Sequence, residues 1–248
     1  MSLKNLIHIE YLKLFRRSNL LFLFLTIYLF ITPLTRAYDK ISRIESASVT
    51  VDDFFVAMVN SFSVMGMLLL AIFMVNNTGN DFNEGSYKKN LAFGLSPGDY
   101  MKGRLMLSGA LIAFVMLATL LLYFIFSFIY FDTGFINVLR AVNIYSLINQ
   151  VFALISAAGF GIFFIMVFRN RTIGLVFFPF WFITEFIVYL LDRSGRIRLL
   201  TEYFPGASAY DLYTFIGFDL TLLAVVIIYI TIFFTGAWYG LTLRGVSR

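Results

Sequence analysis

Six apolar runs dominate this chain, at residues 19–35, 54–75, 105–131, 141–168, 172–191 and 220–243. A helix needs about 20 residues to cross the hydrocarbon core of a bilayer. In lipid each backbone amide must bond within its own segment, so uninterrupted runs of this kind become helices. The sequence therefore predicts an all-α polytopic membrane protein, a single transmembrane domain over residues 1–248. Charge content agrees. Only 13% of residues are charged, where a soluble domain carries about 25%. The first run does not read as a cleaved leader, because a long charged segment precedes it and no small-x-small site follows.

Orientation follows from lysine and arginine. With six spans, one side collects Lys4, Lys13, Arg16, Arg17, Lys88, Lys89, Lys102, Arg104, Arg169, Arg171, Arg244 and Arg248. The other side collects Arg36, Lys40, Arg43, Arg140, Arg193, Arg196 and Arg198. The split is 12 against 7, and the richer side is expected to be cytoplasmic. Both termini then lie inside a cell membrane, bacterial by expectation, with 80–104 facing the cytosol. The net charge of +5 is spread around the topology rather than gathered in a stripe, so nucleic acid is not an expected partner and membrane lipid is.

Three segments stand outside the spans. Residues 1–17 place Leu3, Ile7, Tyr11 and Leu14 on one helical stripe, as in an interfacial helix. Residues 192–219 are long, aromatic and broken by Pro205 and Gly206. They read either as short re-entrant helices covered by protein or as a surface loop. The turn at 169–171 is tight, so spans four and five are expected to be antiparallel neighbours.

Much chemistry is excluded. The chain has no cysteine and one histidine, His8, so it holds no thiolate metal site and no H-E-x-x-H zinc motif. Neither a G-x-S-x-G elbow nor a P-loop is present. No catalytic residue, metal or cofactor is assigned to this chain, which leaves membrane transport as the default.

The third segment is "NDFNEGSYKKNLAFGLSPGDYMKGR", residues 80–104, polar between two apolar walls. Acids Asp81 and Glu84 come early, and bases Lys88 and Lys89 late, as the helix dipole favours. Glu84 and Lys88 are four apart in the stabilising order. Gly94 offers a stop and Pro97 cannot continue a helix. The spacing predicts one short helix over residues 81–93. Phe82, Ser86, Lys89 and Phe93 share one stripe, and Tyr87 and Leu91 another. Such a helix is either a solvated connector with interfacial aromatics or a docking helix for a cytosolic groove.

This segment resembles the first cytoplasmic segment of ABC-2-type permeases, the membrane subunits of type V ABC exporters. The bacitracin-resistance and lantibiotic-immunity branch is the most similar. The matching residues are Glu84-Gly85-Ser86, Lys89-Asn90-Leu91, Gly94-Leu95-Ser96, Tyr100 and Lys102. The chain departs with Ser86 for a usual threonine, and with Pro97-Gly98 where an arginine is usual. The resemblance implies a permease that dimerises with itself or a sister permease and sits on two cytosolic ABC ATPase subunits. ATP and Mg would be held by those partners. Asp81, Phe82, Glu84, Tyr87, Lys88, Lys89, Leu91 and Phe93 would form the ATPase-coupling helix, and residues 192–219 the re-entrant element before span six. The implied cargo is a peptide, antimicrobial or amphipathic compound.

Within the spans, Glu185 is the residue that most invites a function, because an acid at membrane depth is costly. It reads either as a structural pair with Arg140 or an outer-loop arginine, as a substrate contact, or as a protonated bystander. Asn149 and Gln150 in span four and Asn60 in span two are read as interhelical glue or as lining of a substrate path. Ala153, Ala157 and Gly161 recur every four residues, a small-residue face for close packing. Two other function classes stay open: a channel or secondary carrier without an ATPase, and a non-transporting scaffold or immunity protein.

Overall fold

The computed structural model describes residues 50–92, 94, 96–131, 134–193 and 203–243, without the side chains of residues 60, 61, 63–65, 90, 193 and 243. The expected interfacial helix at 1–17 and first span at 19–35 lie outside the described residues. Among the described residues the chain is all-helical, with no strand. Eight helices follow one another: α1 Val51–Asn83, α2 Ser86–Ala92, α3 Pro97–Tyr130, α4 Phe135–Ala141, α5 Ile144–Phe168, α6 Arg171–Arg193, α7 Pro205–Thr214 and α8 Leu220–Leu243. Four of them, α3, α5, α6 and α8, are long and apolar enough to cross a membrane.

The helix ends follow from local chemistry. Thr50 and Asp53 form a reciprocal capping box at the start of α1, which satisfies two otherwise unpaired amides. Ser96 caps α3 by accepting from the Asp99 amide at 3.1 Å, and Pro97 follows at the first helical position, where its missing N–H costs nothing. Helix α3 therefore begins well before the apolar run at 105. Asn143 accepts from the amides of Tyr145 and Ser146 and starts α5. The expected span at 141–168 is consequently broken, its first residue belonging to α4 and the rest of its helix to α5. Asp219 caps α8 through the amides of Thr221 and Leu222.

Helix α5 is the centre. Two-thirds of its apolar stretch is buried (67%), against 28% for α3 and α6 and 17% for α8. It packs on α1, α7 and α8, while α6 leaves the two-residue turn after α5 and lies chiefly along α1. The small-residue face expected on this helix is in use. Ala153 and Ala157 are buried, and a Cβ added to Gly161 would stand 2.7 Å from the Ala71 carbonyl oxygen of α1. The two backbones meet there because no side chain separates them. The exposed sides of α3, α6 and α8 are rows of leucine, isoleucine and phenylalanine, as a lipid-facing surface requires.

Candidate functional site

The polar segment between α1 and α3 does not form one helix. Helix α1 runs through Asp81 and Phe82 to Asn83, and Glu84 caps it. Gly85 then takes φ +67°, a left-handed turn open to glycine at little cost. Only Ser86–Ala92 is the separate short helix α2, and Gly94, at φ +85°, follows its end. The expected helix over 81–93 is thus two pieces. Glu84 and Lys88 fall on opposite sides of the break, so they are not an i,i+4 pair on one helix. Phe93 lies outside the described residues.

Beneath this break sits a buried polar knot. The Arg104 side chain has no solvent exposure, and its guanidinium is paired with the Asp81 carboxylate. Arg104 also donates to Asn77 Oδ1 at 3.2 Å, and the Tyr100 hydroxyl donates to Asp81 at 3.1 Å. The guanidinium carbon stands 5.0 Å from the centroid of the Tyr100 ring, a cation–π contact. This knot ties the end of α1 to the start of α3. A second set of contacts ties α1 to α6: the Arg171 amide donates to Asn83 Oδ1 and its Nε to Asn76 Oδ1. Arg169 lies over Phe82 at 5.8 Å and donates to the Gly240 carbonyl of α8.

Helix α2 is seated on the knot through one aromatic. Tyr87 is buried, with its ring 5.2 Å from Phe82 and 4.9 Å from Tyr100. Burial pushes its hydroxyl above the ordinary phenol range, against a smaller opposing pull from Arg169. Lys88, Lys89 and Glu84 are exposed, and Leu91 is half-buried. The expected coupling residues therefore divide. Asp81, Phe82 and Tyr87 are turned into the protein, and the charged residues Glu84, Lys88 and Lys89 are turned out. Tyr100 and Arg104, which hold the seat, were not singled out by sequence as site residues. Arg104 and Asp81 are 23 residues apart, and no local pattern links them.

At the other end of the bundle, Glu185 is buried and, among the described residues, meets three donors; Arg196, Arg198 and the side chain of Arg193, expected as partners from the outer loop, lie outside the described residues. Its Oε1 accepts from the Gly206 amide at 2.5 Å and the Ala207 amide at 3.1 Å. Its Oε2 accepts from the Trp181 indole at 3.2 Å. The two amides belong to the first turn of α7, where unpaired N–H groups and the helix dipole favour a carboxylate. Arg140 is exposed on α4. Asn149 holds the far end of α7, donating to the carbonyls of Phe215 and Gly217 at 3.0 and 2.9 Å. Gln150 donates to Ser146 within α5. The Asn60 side chain lies outside the described residues.

Helix α7 is thereby fastened at both ends to the long helices. Tyr189 of α6 also donates to Asp211, and Ala207, Ser208, Ala209, Leu212 and Tyr213 are buried. Glu185 stands eight residues before the end of α6, about 12 Å along its axis. The start of α7 therefore lies well below that end, covered by α1, α5, α6 and α8. Non-span backbone at such depth is tolerated when protein surrounds it.

No protein-family model, curated protein or solved structure matches the chain.

Proposed function

We propose that this chain is the permease subunit of an ATP-driven exporter of the ABC-2 type, with peptide, antimicrobial or amphipathic compounds as the cargo class. Two such permeases would stand over two separate cytosolic ATPase subunits, since this chain carries no P-loop of its own. The observation that carries the reading is the two-sidedness of α2. Its lysines point outward, free to meet a partner, and its tyrosine packs on Phe82 of α1 and on Tyr100 of α3, which itself bonds the buried ion pair joining the two helices. A push on α2 is passed to both helices through Phe82, Tyr87 and Tyr100 rather than absorbed in a loose loop. The motif resemblance across 84–102 supports the same assignment.

The depth of α7 supports a re-entrant element before the last span, as in that family. The three donors around Glu185 support a structural role for that acid.

Affinity purification of the full chain from its native membrane tests the proposal. A nucleotide-hydrolysing subunit is expected to co-purify in equal number. The Lys88→Glu, Lys89→Glu variant is expected to lose it while the bundle stays folded. A chain that moves cargo alone in vesicles, or that brings down no such subunit after cross-linking, overturns the assignment.

A further inference from the structure

Helix α4, seven residues joining α3 to α5, is divided lengthwise into three sectors. Val138 is fully buried, and its carbonyl accepts from the Tyr123 hydroxyl of α3 at 3.2 Å. At 100° per residue, Phe135, Leu139 and Ile136 fall on one flank of Val138. Ala141, Asn137 and Arg140 fall on the other. The apolar flank is at least half exposed at all three positions, and Asn137 and Arg140 are exposed as well.

The two flanks have a direction. The Phe135 ring stacks on Phe124 and Phe128 of α3, with centroids 5.8 and 6.3 Å apart. Phe124 lies six residues before the last residue of α3, about 9 Å down its axis. Phe135 therefore folds back along α3 toward the middle of the span, and the flank that it heads is set against the polar flank across the helix. The same side of α3 continues as the exposed row Leu117, Leu121, Ile125 and Phe128. The 27-residue apolar run at 105–131 is about 40 Å long, roughly 10 Å more than a hydrocarbon core. That excess matches the stretch of α3 alongside which α4 lies.

We infer that α4 is an interfacial helix, lying flat in the headgroup layer at the α3–α5 end of the bundle. Phe135, Ile136 and Leu139 enter the upper acyl chains, and Arg140 pairs with lipid phosphate. The occupant of this face is the bilayer itself, because the apolar flank is continuous with the lipid-facing row of a spanning helix and Arg140 sits at the edge of that flank, about 40° from Ile136, where headgroups meet acyl chains. The inference is independent of the transport proposal.

The chain has no cysteine, so single-cysteine variants report one position each. Ile136→Cys, Leu139→Cys and Asn137→Cys are labelled with a small fluorophore. The full chain is then reconstituted into phosphatidylcholine–phosphatidylglycerol vesicles, with Leu121→Cys as the reference for lipid exposure. A nitroxide carried high on the acyl chain is expected to quench the first two labels about threefold more than it quenches Asn137→Cys. Aqueous iodide is expected to show the reverse order. Adding Arg140→Glu to Ile136→Cys is expected to lower the lipid quenching by about twofold. Equal quenching of Ile136→Cys and Asn137→Cys by both agents overturns the inference. Shielding of Ile136→Cys from both agents overturns it too, since that result means a protein surface, such as a second copy, covers the flank.

Discussion

Arg104 has no solvent exposure, and a buried guanidinium persists only where its charge and donors are met. Asp81 and Asn77 take its two terminal nitrogens, and the face of Tyr100 lies against its charge. Arg104→Leu strands the Asp81 carboxylate and is expected to cost about 3–5 kcal/mol in an unfolding titration of the solubilised protein. The double variant Asp81→Leu, Arg104→Leu is expected to recover most of that loss, because no unpaired charge is left behind. A double variant as unstable as the single one would show that the pair contributes more than mutual neutralisation. Glu185 obeys the same logic with neutral donors. Glu185→Gln keeps an acceptor for the Gly206 and Ala207 amides but sets an amide NH2 where a carboxyl oxygen accepted from the Trp181 indole, at a cost of about 1–2 kcal/mol. Glu185→Leu leaves both amides bare and is expected to cost more. Hydrogen exchange at Gly206 and Ala207 checks this, with faster exchange in Glu185→Leu than in Glu185→Gln. Transport that fails in Glu185→Gln while both amides stay protected would return the acid to the substrate path.

Among elements, the proposed coupling role would divide α2 between recognition and transmission. Tyr87→Ala removes the ring between Phe82 and Tyr100 but leaves Lys88 and Lys89 in place. The expected result is an ATPase that still binds while ATP hydrolysis no longer responds to cargo. Loss of binding instead would place Tyr87 in the docking surface. At the α1–α5 crossing, Gly161→Leu drives a side chain into the Ala71 carbonyl and is expected to destabilise the bundle by about 1–3 kcal/mol or more, read as a lower unfolding midpoint. Gly109→Leu, on the open side of α3, is the neutral control. The small-residue spacing on α5 was legible in sequence because a period of four is local. The positions of α3, α5, α6 and α8 were legible for a similar reason: apolar length needs no partner to be read. What escaped was set by caps and by distant residues. Asn143 splits the run at 141–168 through two hydrogen bonds to its own next turn, and apolar residues on both sides of it hide the break. Gly85 divides the 81–93 stretch, where charge order alone looked continuous. Two of the three donors to Glu185 come from α7, 21 and 22 residues onward. Depth in the membrane could be read at that acid, but its partners could not.

For the molecule as a whole, the sidedness of the bundle rests on α3. This helix is 34 residues long, about 51 Å, and it carries α2 before its first residue and α4 after its last. If it crosses the bilayer, Lys88 and Asn137 must face opposite compartments. The orientation proposed from lysine and arginine would place Lys88 in the cytoplasm. An impermeant maleimide applied to intact cells is expected to label Asn137→Cys and not Lys88→Cys, and opening the cells and stripping any cytosolic partner from the membrane is expected to expose Lys88→Cys. The opposite pattern would keep α3 as a span but turn the protein over, and α2 could then meet no cytosolic ATPase. Labelling of both positions in intact cells would mean that α3 does not cross at all. The two sites are exposed and lie on short polar surfaces away from the core, so failure to fold does not imitate either result. The same pair of variants also bears on the lever at α2. A helix seated on Tyr100 can transmit work only if the partner and the seat share one side of the membrane, and Arg104 lies one turn of α3 beyond Tyr100, the residue that meets α2. Sidedness is therefore the condition on which the coupling proposal depends, and it can be decided without knowing the cargo.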